Sequence, residues 1–331
     1  MTVGHRIEAA GINRASHLRK FAEELRNEKQ IGKARPPRAP SLCCRIPLER
    51  DSSMHSMADP SPYKSIAVAT TFSPRFREVL AEAKRIRERF PADLHLIYVG
   101  ERNKETAEKF SDALAALHLP ANSAIHYEQG DPAEAILRAL AREKIDVIVA
   151  GALEKEVVLH PFLGNVARRL VREAPCSVVL FTRPAANPKP LRRIVFVADY
   201  SSHGLKALKI TLPLAASEPC DRLYVIRIIT TFDQARASMG AGGSKGKDSN
   251  AHDAEEEALE QFVLSAGATD VPIEVRCVRG NTGLAASDFV QSVKADLLVV
   301  PLQKNGEASQ PLPSNIAWIT DVIPCNLWVI R

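Results

Sequence analysis

Beyond residue 62 the chain alternates short apolar runs with longer segments whose apolar residues recur every three or four positions. Ile66-Ala67-Val68-Ala69 leads into Thr70, Thr71, Phe72 and Ser73. A nearly continuous apolar run of this kind reads as a strand buried on both faces. Phe76, Val79, Leu80, Ala83, Ile86 and Phe90 then fall on one face at helical spacing, with Ser73 suited to the N-cap and Pro74 to the first helical position. Leu94 to Val99 is the next strand candidate, Gly130-Asp131-Pro132 follows a strand and opens a helix, and Asp146 precedes the apolar run Val147 to Ala150. Pro175 and Cys176 introduce a last run, Ser177 to Phe181.

The same order then repeats. Ile194 to Ser201 matches Ile66 to Ser73, and Leu205, Leu208 and Leu212 supply the following helix face. Leu223 to Ile229 is the second strand, Gly280-Asn281-Thr282 the glycine turn, Asp296 the acid before Leu297 to Val300, and Pro324-Cys325 the lead into Asn326 to Ile330. The offsets between copies are 128 at Thr71 and Asp199, 150 at Gly130 and Gly280, 150 at Ala150 and Val300, and 149 at Cys176 and Cys325. A steady offset with one jump means one repeat and one insertion. The insertion is the Gly-, Ser- and Lys-rich stretch 230–250, which reads as a surface loop.

Five strands alternating with four helices in each copy predict an α/β fold: two tandem doubly wound domains, each a parallel sheet with helices on both faces. The first spans 63–183, a proline-containing linker covers 184–190, and the second spans 191–331.

Composition changes little in this picture. Hydrophobic residues at 45% and charged residues at 25% are those of an ordinary globular protein, without a stretch apolar enough to span a membrane. The net charge of +5 suggests nucleic acid until it is located: residues 1–60 hold eleven Lys and Arg against seven Asp and Glu, a net +4. What remains is no footprint for nucleic acid. Residues 1–62 read as a mostly disordered extension with one amphipathic helix near His17 to Gln30, ended by the proline-rich run Pro36 to Pro40. Its acids Glu8, Glu23, Glu24 and Glu28 count against a transit peptide, and Met54 or Met57 is a candidate start. Six scattered cysteines without a C-x-x-C pair fit a reducing, cytoplasmic compartment.

Motifs that carry chemistry are scarce. Gly240 to Lys247 resembles a phosphate-binding loop but has Ala241 and Asp248 where that motif needs glycine and a hydroxyl residue. The nine histidines show no metal-ligand spacing, and His160 alone defines no site. Cys176 and Cys325 read as small buried thiols at strand starts. There is no G-x-S-x-G elbow and no grouped Ser, His and Asp, so no catalytic activity is expected and no metal is assigned.

The turn Phe72-Ser73 or Tyr200-Ser201, the Gly130-Asp131-Pro132 turn and the terminal Pro-Cys strand of each copy give the chain its likeness. It resembles a tandem member of the universal stress protein family. The resemblance implies a Rossmann-like fold of the adenine nucleotide alpha hydrolase-like type. It also implies a stress-response binding or regulatory module holding ATP or another adenine nucleotide. By the family's strand order the apolar last strand of each copy lies at a sheet edge, where such strands are paired or covered; the resemblance therefore implies a pseudo-symmetric dimer of the two copies within one chain and leaves room for a homodimer of two chains. Family members that bind nucleotide carry G-x2-G-x9-G-[ST] after the fourth strand, where backbone amides and a helix N-terminus receive phosphates. In the first copy that pattern falls on Gly151, Glu154 and Gly164-Asn165, and the family's acidic residue after the first strand falls on Thr71. Thr70, Val99 and Gly130 complete the positions that the resemblance implies for cofactor binding. A carboxylate at 154 repels a triphosphate, while Asn165 suits an N-cap. In the second copy Asp199 keeps the acid, but Pro301, Lys304 and Ser314-Asn315 replace the loop pattern. The alternative is a ligand-independent interaction protein with degenerate sites, docking on an enzyme or transporter.

Overall fold

The computed structural model describes residues 61–152, 164–230, 248–280, 282–303, 319 and 324–331. The predicted helix at His17 to Gln30, most of the 230–250 insertion, the Gly240 to Lys247 run, Glu154, His160, Lys304, Ser314 and Asn315 lie outside the described residues.

The first half runs β1 (Ser65–Thr70), α1 (Phe76–Arg89), β2 (Asp93–Val99), α2 (Lys104–Ala116), β3 (Ala124–Glu128), α3 (Pro132–Arg142), β4 (Val147–Gly151), α4 (Asn165–Glu173) and β5 (Ser177–Phe181). The second half runs β6 (Arg193–Val197), α5 (Ser202–Ser217), β7 (Arg222–Ile229), α6 (Asp248–Ala266), β8 (Ile273–Arg279), α7 (Thr282–Ser292), β9 (Leu297–Pro301) and β10 (Asn326–Ile330). The protein is thus α/β, with mostly parallel strands between helices.

All ten strands join one sheet in the order β3-β2-β1-β4-β5-β10-β9-β6-β7-β8. Within each half the pairs are parallel, and parallel neighbours need a crossover connection rather than a hairpin. The exception is the seam, where β10 runs antiparallel to β5 with Leu327 opposite Leu180 and Val329 opposite Val178. The apolar edges anticipated from sequence therefore cover one another inside the chain. Asn326 reinforces the seam by accepting the Thr182 amide and hydroxyl at 3.0 and 3.2 Å.

Both sheet faces bury apolar side chains from both halves. One face joins Ile66, Leu80 and Phe181 to Phe196, Leu208 and Trp328. The other joins Ile148, Leu170 and Val178 to Val195, Leu298 and Leu327. Strand residues lie between two helical layers, which is why β4, β5, β9 and β10 read as continuous apolar runs rather than alternating ones.

Local chemistry departs from expectation at three helix starts. Ser73 does not cap α1: Phe76 donates to the Ser73 carbonyl at 3.0 Å, and the N-cap is Arg75, whose side chain does not cap the helix. Pro74 sits in the middle of that turn, where its fixed φ is favoured, and so delays the helix. At α4 the N-cap is Gly164, with Asn165 as the first helical residue. Residues 248–250, assigned to the inserted loop from sequence, already belong to α6. The Asp131 turn behaves as read, its carboxylate accepting the Glu134 amide at 3.0 Å with Pro132 at the first helical position.

Candidate functional site

In each half the strand order reverses direction between its first and fourth strands, β1 and β4 or β6 and β9. Chains leaving these neighbouring strands turn to opposite faces, opening a crevice at their carboxyl ends where ligands of doubly wound folds bind. Val68 pairs with Val149 and Phe196 with Val299. Two residues further on, Thr70 comes level with Gly151, and Ala198 with Pro301.

The first half keeps this crevice lined with small groups. Thr71 and Gly151 are exposed, whereas Thr70 is buried and its hydroxyl donates to the Ile97 carbonyl at 2.9 Å. Thr70 thus ties β1 to β2 and faces inward. A Cβ at 151 would stand 3.5 Å from the Val79 methyl, an ordinary contact, so the end of β4 lies beside α1. Gly164 closes the loop on this strand, its amide donating to the Ala152 carbonyl at 2.9 Å. Behind it α4 begins with no side-chain cap and no acid in its first turn. The early amides of such a helix, together with its dipole, favour an anion. Arg168 in the same turn of α4 is half-buried, and its Nε makes no hydrogen bond among the described residues.

Val99 ends β2 partly exposed, and Gly130 takes φ +103° in the turn before α3, a conformation that side chains resist. Gly130 is separated from the β1–β4 crevice by β2, since β3 pairs only with β2. Its visible part is to start α3, whose Asp131 cap also receives Arg169 of α4 at 3.0 Å.

In the second half the residues that follow β6 bond to one another and to β7. Asp199 Oδ1 accepts the Ser201 amide at 3.0 Å and the Ser201 hydroxyl at 2.8 Å. Ser201 Oγ in turn accepts the Gly204 amide at 2.8 Å and caps α5. A Cβ at Gly204 would stand 2.0 Å from Asp199 Oδ1, so only glycine lets the carboxylate lie here. Tyr200 adopts φ +59° and lies under the Arg227 guanidinium, 4.9 Å from the ring centroid. Arg227 also donates to the Ala198 carbonyl at 3.4 Å and stands 3.4 Å from Glu255 of α6. Burial, then Glu255, pushes the Tyr200 phenol well above its usual range. Pro301 is buried inside β9, level with Ile330. Ser201, Gly204 and Arg227 were not singled out from sequence. Ser201 was legible as a serine before a helical pattern, but nothing in the chain announces that Arg227 stacks on a residue 27 positions away.

These two crevices sit on a chain that matches the model of the universal stress protein family twice, over residues 62–182 and 190–331. The chain belongs to the universal stress protein family. A curated universal stress protein of Thermus aquaticus is 35% identical over 135 residues, covering 36% of this chain and 98% of that protein. One of Methanocaldococcus jannaschii is 27% identical over 142 residues, covering 37% and 84%. Each relative is about as long as one half, so this member carries the family domain in tandem. Among solved structures, a universal stress protein from Pseudomonas aeruginosa UCBPP-PA14 superposes with a TM-score of 0.60 at 16% identity, covering 81% of this chain and 93% of that one. One from Archaeoglobus fulgidus gives 0.53 at 14%, covering 81% and 96%. At such identities these structures speak for the fold alone. They extend over both halves.

Among the described residues no three His, Cys, Asp or Glu side chains stand together as metal ligands, and no helix is long and apolar enough to cross a membrane. Cys176 and Cys325 are buried free thiols; burial pushes Cys176 up to about 12 and Cys325 higher still. Thiols held protonated in this way are poor nucleophiles.

Proposed function

We propose that this universal stress protein is a cytoplasmic stress-response module that acts by binding rather than catalysis. It takes the phosphates of ATP or another adenine nucleotide in the first half. One observation carries the reading: α4 starts uncapped and without acid beside the exposed Gly151, at the crevice between β1 and β4. Thr71 in place of an acid removes one charge from the same opening. The free cysteines of the described residues support a reducing compartment.

Calorimetry of the full chain with ATP, ADP and AMP tests this reading, together with mass spectrometry of small molecules released on denaturation. A heat of binding that depends on phosphate number and is abolished by Asn165→Asp, which adds an anion to the first turn of α4, is the expected result. Glu154→Gly is expected to tighten ATP binding by removing a carboxylate from the loop. No heat with any nucleotide, and none released, would overturn the proposal.

The second half favours a different reading of its own. With Asp199 hydrogen-bonded to Ser201, Arg227 stacked on Tyr200 and Pro301 within the strand, it serves as a ligand-independent partner surface. In that reading it docks on an enzyme or transporter while the first half responds to nucleotide.

A further inference from the structure

A cluster of charged side chains lies beneath the connection between the halves. Glu82 and Arg85 project from α1 of the first half, and Glu218 occupies the C-cap of α5 in the second. Their side chains are almost enclosed, at 4, 9 and 2% exposure. Arg85 Nη1 donates to the Lys189 carbonyl at 2.7 Å and lies 3.8 Å from Glu218 Oε2. Glu218 Oε2 accepts the Leu191 amide at 3.3 Å, and its Oε1 receives Arg89 Nε at 3.2 Å. The backbone of Ala185 faces Glu82 and favours its ionised form. Two backbone groups of 185–191, the Lys189 carbonyl and the Leu191 amide, are therefore held by side chains from both halves.

The two carboxylates are not equally served. Glu218 has two guanidinium groups and an amide. Glu82 has the backbone of Ala185 facing it and the shared Arg85, whose Nη2 stands 2.7 Å from Glu82 Oε2 but off the line of a hydrogen bond. Arg85 Nε has no hydrogen-bond partner among the described residues. A buried carboxylate with incomplete pairing is costly, and neutralising it relieves the cost. Glu82 is thus the place in this cluster where a proton is best accommodated.

We propose that proton uptake at Glu82 operates a latch on the interdomain linker: with Glu82 neutral the linker is held against α1 and α5, and with Glu82 ionised it opens more readily. Burial raises the Glu82 carboxyl from its ordinary 4.5 to about 7; Arg85 opposes the rise and the charge of Glu218 adds to it. The charged groups acting on Glu82 are Arg85 of its own helix and Glu218 of α5, while the linker contributes backbone only. In the opened state Glu82 meets water and returns to its ordinary value. The closed latch therefore holds protons that the open one lacks, and closure weakens as pH rises from 4.5 through about 7. Between pH 6 and pH 8 the opening equilibrium should rise about tenfold, the factor that one proton with a folded value near 7 gives over that interval.

Hydrogen exchange of the Leu191 amide in the full chain, corrected for the intrinsic pH dependence of exchange, reads this directly. In the wild type the corrected rate is expected to be about tenfold faster at pH 8 than at pH 6. Glu82→Gln should be slow and flat across the interval, whereas Glu218→Gln should be faster at both pH values and keep the step. Equal corrected rates at pH 6 and pH 8 in the wild type would overturn the proposal. So would a step of undiminished size in Glu82→Gln. If that variant fails to fold, the wild-type step decides alone.

Discussion

Removing the carboxylate of Asp146 isolates a device that the chain uses twice. Asp146 stands one residue before β4, and its Oδ2 accepts the amides of Lys64 and Ser65 at 2.7 and 3.1 Å, at the start of β1. Ser65 answers with its hydroxyl, which accepts the Asp146 amide at 3.0 Å. In the second half Asp296 Oδ2 accepts the amides of Arg192 and Arg193, both at 2.9 Å, before β6. Each acid thereby pins the first strand of its half against the fourth, fixing the register that opens the crevice at the far end. A hydrogen bond to a charged group contributes about 1.5–3 kcal/mol. Lys64 is exposed and Ser65 half-buried, so water replaces part of what Asp146→Ala removes, and the expected loss is about 2 kcal/mol. Asp296→Ala should cost a similar amount. The double variant should lose the sum, about 4 kcal/mol, because the two sites share no partner. Asp146→Asn keeps one acceptor and should lose about half as much as alanine. Urea unfolding followed by far-ultraviolet circular dichroism measures these differences as shifts in midpoint at unchanged slope. Alanine variants within about 0.5 kcal/mol of the wild type, the range of ordinary surface changes, would refute the reasoning.

The seam and the sheet edge give further expectations. Trp328 of β10 is 2% exposed and packs on Phe90 and Tyr63 of the first half at ring distances of 5.7 and 6.3 Å. Trp328→Ala should cost about 3–5 kcal/mol, and Trp328→Phe much less, in calorimetric unfolding; equal effects would mean the indole is not packed as described. At the outer edge of the first half, His95 Nδ1 and His126 Nε2 are 3.0 Å apart and Glu143 lies 3.5 Å beyond His126. Burial, then the neighbouring His126, lowers the His95 value below 6.5. The unfolded chain therefore takes up that proton first, and stability should fall as pH drops through 6.5. His95→Phe should lose this part of the acid dependence, and an unchanged slope between pH 7.5 and 5.5 would contradict it.

Much of this architecture can be read along the chain because parallel sheets leave a plain signature. Strands covered by helices on both sides must be apolar at every position, so β1, β4, β5 and their counterparts stand out without any alternation to interpret. The repeated acid before β4 and β9 was visible as a constant, yet its partners lie more than eighty residues upstream in sequence, and only pairing of β1 with β4 brings them into reach. Candidate site residues divide in the same way. Thr70 and Thr71 are adjacent and chemically alike, but strand geometry turns the first inward onto Ile97 and leaves the second exposed. Asp199 matched the family's acid in sequence, whereas in the turn that follows it the carboxylate accepts the amide and hydroxyl of Ser201.

The sequence by itself determined what depends on periodicity: two copies, their strands and helices, the glycine turns and the acids that recur with them. It also showed that the last strand of each copy is a nearly continuous apolar run, while the edge position of that strand came from the family's strand order. Tertiary structure decided what depends on distance between residues far apart in the chain. It joined those edges antiparallel into one sheet, stacked Arg227 of β7 on Tyr200, and gathered Glu82, Arg85 and Glu218 around the linker. Hydrophobic pattern is local and repeats with the helix or strand, whereas a buried charge is defined by its partners, and those exist only once the halves have packed.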